Sequence, residues 1–175
     1  MKPLRILLLP VSCLLTLGSS APKDESLSEY IQLQKLEKQA LEKNMVREYT
    51  YDLTHKKSCN KTRIKYLGVV HMTNGKQYKV LTSFFVFSTT GDWCRGTSNI
   101  KIYDMQNRFV GKYYVGMPES LPDTLQDNRL RYLRNSEECN VRKTRSIDLR
   151  KGLPKTFYIP CTKDGGDIYS FSSGE

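Results

Sequence analysis

Residues 63–88 read RIKYLGVVHMTNGKQYKVLTSFFVFS, and this stretch decides the fold. Two apolar, β-branched and aromatic runs flank Asn74-Gly75, a dipeptide that tolerates positive φ at both positions and so favours a tight type I′ hairpin turn. A two-residue turn there sets Ile64 across from Phe85, Val69 across from Val80, and His71 packed against Tyr78. Leu67, Val69, Val80, Phe84 and Val86 then line one face; Ile64, Tyr66, Val70, Leu81 and Phe85 line the other. A pair that is apolar on both faces belongs in the centre of a fold, covered on each side.

The same register carries position 59 opposite position 90, four residues before Cys94. It therefore predicts a Cys59–Cys94 disulfide at the open end of the hairpin and leaves Cys139–Cys161 as the second. The intervals between these cysteines are 35, 45 and 22 residues, without the close C-x-x-C pairs that a zinc site uses. Cys13 falls in the N-terminal segment that export would remove, and the four widely spaced cysteines that remain point to two disulfides.

Export is read from the N-terminus. Lys2 and Arg5 precede an apolar run from Ile6 to Leu17, and Gly18-Ser19-Ser20-Ala21 supplies small residues for cleavage after Ser20. Residues 1–20 are therefore predicted to be a signal peptide and 21–175 a single secreted or periplasmic domain. Pro10 interrupts the run, which is too short to span a bilayer, so no transmembrane span is expected. The 175 residues carry 28 Lys plus Arg against 18 Asp plus Glu, a formal charge of +10 that falls to +8 without Lys2 and Arg5.

Outward from the hairpin, Asp24–Asn44 reads as an amphipathic helix. Ser26 and Glu29 form a capping box, Leu27, Tyr30, Ile31, Leu33, Leu36, Ala40 and Leu41 an apolar stripe, and Glu37 falls mostly on the polar side. Tyr49 to Leu53 alternates with period two. Asn99–Tyr103 and Arg108–Val115 make a further hairpin around Met105-Gln106-Asn107. Residues 116–128 read as a turn-rich connection with one helical turn after Pro122. Weaker strands follow at Leu130–Leu133, Val141–Leu149, Thr156–Ile159 and Asp167–Phe171. The expected class is mainly β (α+β): an N-terminal amphipathic helix, then an antiparallel meander of about eight strands, as barrel or sandwich.

Catalytic signals are thin. His71 lies within a strand and His55 in a Lys-rich loop; no G-x-S-x-G elbow, Walker loop or dinucleotide fingerprint is present. Glu137-Glu138 and Asp164/Asp167 are carboxylate pairs in turns, and no metal or cofactor is expected. Asn60-Lys61-Thr62 fits a glycosylation sequon. Charge says more: residues 129–155 hold nine basic and three acidic side chains, +6 within 27 residues. Arg129, Arg131, Arg142, Lys143 and Arg145 are the predicted anion-binding residues on that stretch, where aromatic neighbours would assist a polyanion. The expected function is a non-enzymatic binding module for a protein or an anionic polymer. A barrel carrying a small apolar ligand between Tyr66, Phe85 and Phe87, or a hydrolase using His71 or His55, are the alternatives.

Overall fold

The computed structural model describes residues 25–52, 59, 61–88, 93–137, 139–143 and 145–174. The expected signal segment, the capping-box side chains, His55, Asn60 and Glu138 lie outside them. The chain is mainly β, with one helix and ten strands among the described residues. Helix α1 spans Glu25–Lys43. Strands β1 Glu48–Asp52, β2 Lys61–His71, β3 Gln77–Ser88, β4 Cys94–Tyr103 and β5 Phe109–Tyr114 follow as an antiparallel meander. The chain then leaves this sheet to form a 3₁₀ turn at Pro118–Ser120 and a small three-stranded sheet: β6 Thr124–Gln126, β7 Arg129–Arg131 and β8 Ser146–Asp148. It returns through β9 Thr156–Pro160 and β10 Gly166–Ser173. The large sheet has the order β1-β2-β3-β4-β5-β10-β9. The first five residues of β10 pair with β9 and its last three with β5.

This is a layered arrangement rather than a single meander. One face of the large sheet presents Ile64, Tyr66, Leu81, Phe85 and Tyr103 to Leu33, Ala40 and Leu41 of α1. The other presents Val70, Val80, Ile100, Ile102 and Tyr113 to Leu130, Tyr132, Ile147 and Leu149 of the small-sheet region. Strand alternation separates the two sets, because successive side chains point to opposite faces. Tyr66, Phe85 and Phe87, the expected cavity lining of a carrier, pack in the layer beneath α1. Tyr30 and Ile31, expected in the buried stripe, are exposed.

Glu37, assigned by the helical wheel to the polar side, is buried against the sheet instead. Lys101 and Tyr103, two residues apart on β4, supply its partners: an ion pair from Lys101 and a hydrogen bond from Tyr103 Oη to Glu37 Oε2 at 2.9 Å. Lys79 Nζ donates to the Leu41 carbonyl at 3.2 Å, near the end of α1. Asn44 closes the helix at φ 53°, its N–H donating to the Ala40 carbonyl, the left-handed cap that asparagine tolerates.

The central hairpin forms, with a different register. Met72 N donates to Lys76 O and Gly75 N to Met72 O, so Thr73-Asn74-Gly75 is a three-residue loop with only Gly75 at positive φ. Val70 pairs with Tyr78 and His71 with Gln77, one residue away from the two-residue expectation. Leu67 is then squeezed out between the Tyr66–Leu81 and Gly68–Val80 pairs, a β-bulge that shifts the register again. Beyond it Ile64 faces Ser83 rather than Phe85, and Val70 joins the face opposite Ile64 and Tyr66. A type I′ turn does occur at Asp127-Asn128, both at positive φ, joining β6 to β7. The turn-rich connection thus contains a strand, and its helical turn follows Pro118, not Pro122.

Both expected disulfides are formed: Cys59–Cys94 and Cys139–Cys161, with Cα–Cα distances of 5.4 and 4.1 Å. Lys61 pairs with Val86, so Cys59 comes level with Ser88, which is itself paired with Cys94. The bridge therefore joins the strands on either side of β3 at its end. Two disulfides mark an oxidising compartment. No helix among the described residues is long and apolar enough to cross a membrane.

Candidate anion-binding face

The β6–β7 turn and the β7–β8 ladder position the predicted cations. Leu130 points into the core and is fully buried, so Arg129 and Arg131 share the outer face of β7. The ladder continues one step beyond β7, with Tyr132 N donating to the Arg145 carbonyl at 3.1 Å. Lys143 N donates to Asn135 Oδ1 at 2.6 Å, and Arg145 N to the Arg142 carbonyl at 3.1 Å. These bonds hold the backbone at Arg142, Lys143 and Arg145 while leaving the side chains of Lys143 and Arg145 exposed.

Arg131, Tyr132, Leu133, Lys143, Arg145 and Ser146 surround an open hollow of ≈ 300 Å³. No carboxylate lines it among the described residues. Arg131 has one loose partner, Asp127 Oδ2 at 3.5 Å; neither Lys143 nor Arg145 forms an ion pair among the described residues. Leu133 is half exposed at the margin. Three positive charges beside an apolar patch attract acidic groups from solution and offer their stems something to pack against.

The other two predicted cations are elsewhere. Arg129 lies 3.3 Å from Asp148 Oδ2, across the ladder from it. Asp148 also accepts from Arg150 Nε and Nη2, and these hydrogen bonds hold its carboxyl well below the ordinary carboxylate range. Arg142, expected on the same face, is 2 % exposed. Its Nη1 donates to Ser120 Oγ at 2.9 Å and to the Glu119 carbonyl at 3.3 Å, and its Nη2 to Asp167 Oδ2 at 2.9 Å. Tyr169 Oη donates to the same Asp167 oxygen at 3.0 Å. Val141 N donates to the Cys161 carbonyl, so the Cys139–Cys161 bridge and this bond hold the segment against the end of β9. That placement carries Arg142 to Asp167, and Arg142 ties the 118–120 turn to β10.

Catalytic and metal candidates do not assemble among the described residues. His71 sits exposed at the end of β2, its backbone N–H donating to Asn128 Oδ1 at 2.7 Å. Asp164-Gly165-Gly166 turns the chain from β9 into β10, with Cys161 N and Thr162 N both donating to the Gly165 carbonyl. No group of three or more His, Cys, Asp or Glu side chains that could hold a metal occurs among the described residues.

Sequence reasoning missed Arg63. It stands in β2 between Thr50 and Phe84 with no carboxylate across the ladder, its guanidinium 4.9 Å from the Phe84 ring centroid. The sequence signal was slight, since Arg63 alternates with Lys61 and Lys65 on the half-buried side of β2. Comparison with protein families, characterised proteins and solved structures gives no match.

Proposed function

We propose that the chain is an exported, non-enzymatic binding module that holds an anionic polymer on the Arg131/Lys143/Arg145 hollow. One observation carries this reading: among the described residues, three cations converge on a hollow that no carboxylate lines, and two of them have no ion pair. The two disulfides support an oxidising site of action, and the N-terminal sequence supports cleavage of residues 1–20 during export. Arg129 contributes at the margin, shared with Asp148; Arg142 serves the interior.

The test uses a short DNA duplex as a polyanion of known charge spacing, with heparin as a second probe. Binding is expected at low salt and to weaken steeply as salt rises, since cation–phosphate contacts release counterions. The triple variant R131E/K143E/R145E is expected to abolish retention on both probes. Retention by that variant at parental strength overturns the reading.

A further inference from the structure

A second cavity, of ≈ 220 Å³, opens between the Pro118–Asp123 segment, β2, residues 132–136 and Arg142. Hydrogen-bonding groups on its wall do not balance. Asp123 is used on both oxygens: Oδ1 accepts from Arg134 Nε and Nη2 at 2.9 and 2.6 Å, and Oδ2 from Leu133 N at 2.8 Å. Asn135 Oδ1 is taken by Lys143 N. Three buried groups of the wall residues have no partner among the described residues: Arg63 Nε, Arg142 Nε and Tyr132 Oη. Arg142 and Tyr132 are 2 % and 1 % exposed, so few directions remain from which a partner can reach these two donors. Burial keeps the Tyr132 hydroxyl protonated, pushing its pKa far above the ordinary tyrosine range.

Every missing partner can be an acceptor, because an arginine Nε–H only donates and a protonated phenol can donate. Two of the three donors belong to guanidinium groups, which favours a charged acceptor. Asp167 already partners Arg142, whereas Arg63 has no ion pair among the described residues. The volume is smaller than the ~300–1,000 Å³ of pockets that enclose drug-sized ligands, so it suits one acidic group rather than a whole molecule. We infer that this cavity is a binding site for a single oxyanion group, carried on a carboxylate, a phosphate or a sulfate. It is separate from the basic hollow, with which it shares only Tyr132, and does not rest on the polymer reading. Glu119, exposed at the cavity wall, opposes the anion.

The probes are inorganic phosphate, sulfate and acetate, each titrated into the disulfide-intact protein at constant ionic strength with chloride as filler. Calorimetry and thermal melting read the binding. A saturable response is expected for at least one, and the probe that saturates lowest identifies the group. Arg63→Gln is expected to weaken that probe at least ~10-fold and Tyr132→Phe several-fold, as loss of hydrogen bonds to a charged ligand implies. Glu119→Gln is expected to tighten it. Arg145→Glu, on the polymer face, is expected to leave it unchanged, which separates this site from the hollow. No saturable response to any probe overturns the inference, as does parental affinity in both Arg63→Gln and Tyr132→Phe, or loss of the response in Arg145→Glu. A non-saturating rise in melting temperature that persists in both cavity variants is general salt exclusion and also overturns it.

Discussion

Replacing Arg142 by methionine separates the interior of this protein from its surface. Methionine keeps a stem that can pack against Tyr132, whose ring centroid lies 6.0 Å from Arg142 Cζ, but it removes the bonds to Ser120, Glu119 and Asp167. Breaking a wholly buried ion pair from one side costs about 3–5 kcal/mol. Asp167 is half in water already, its side chain 49 % exposed, so its carboxylate is not stranded. What remains is the loss of charge-assisted bonds, offset by no longer burying a guanidinium, for a net of about 2–4 kcal/mol. In a domain of this size that lowers Tm by about 5–15 °C. Arg142→Lys is expected to recover less than half, because a single ammonium cannot reach both Ser120 and Asp167 as the planar fork does. Arg145→Ala, three residues away and exposed, is expected to change stability by less than about 0.5 kcal/mol. Melting by circular dichroism and duplex binding are measured on both. Arg142→Met should melt early yet bind the duplex at low temperature, and Arg145→Glu should melt normally and bind weakly. A thermally unaffected Arg142→Met, or one that loses duplex binding while Arg145→Glu retains it, refutes the assignment of these two arginines.

Other consequences follow from the same packing. Cys139→Ser with Cys161→Ser removes a cross-link over 22 residues, expected to cost about 3 kcal/mol in the chain-entropy model. Combined with Arg142→Met the loss should fall short of the sum, since the bridge places Arg142; a double-mutant cycle on urea melts reads the coupling. Gly111→Ala puts a methyl against the Phe171 ring and the Ser172 carbonyl, where β5 meets β10, and is expected to cost about 1–3 kcal/mol. Gly75→Ala meets open space but sits at φ 81°, so about 1 kcal/mol is expected by thermal melting, with Gly75→Asn milder. Burial raises the pKa of Tyr66, Tyr103, Tyr113, Tyr132 and Tyr169. In the unfolded chain these groups ionise near pH ~10. Their neutral form therefore favours the fold fully below that pH, and the contribution is lost as pH rises above it. Absorbance at 295 nm should show them titrating together with unfolding, after the exposed tyrosines; gradual titration of all tyrosines near pH ~10 without loss of ellipticity would contradict their burial.

How much was legible depends on how local the cause is. The helix announces itself by its spacing, yet only its later turns dock: Leu33, Ala40 and Leu41 are buried while Tyr30 and Ile31 are not. Periodicity names a stripe but not how far the sheet beneath extends. The central hairpin is visible in its two runs, but its register hangs on whether Asn74 or only Gly75 takes positive φ, which the dipeptide does not specify. The second shift was more accessible. Gly68 interrupts an apolar strand, a common mark of a bulge, and it sits at φ 129° where Leu125 of β6 approaches within 3.7 Å of the missing Cβ. The disulfide pairing survived the register error because both versions end the hairpin near Cys94. Strand β6 was hidden, being three residues long and stabilised by packing over Gly68 rather than by its own pattern.

The basic stretch shows why charge counted along the chain misstates a surface. Within residues 129–155 the acids are outnumbered nine to three, but the fold imports others. Asp123, from before the window, clamps Arg134; Asp167, from beyond it, clamps Arg142; Asp148 serves Arg129 and Arg150 together. Exposed Lys151 and Lys155 lie outside the hollow, and Arg131, Lys143 and Arg145 are what remains converging on it. The slope of log affinity against log salt counts the engaged cations at about −0.9 per phosphate neutralised on duplex DNA. A slope near −3 is therefore expected for the folded protein, against roughly −5 if the window's whole excess of +6 acted together. The steeper value would mean that cations outside the hollow engage as well: Lys151 and Lys155 would carry the slope to about −4.5, and anything steeper would require the pairs at Asp123, Asp148 or Asp167 to open on binding. Only in that last case would Arg142 return to the surface role that its position in the sequence alone implies.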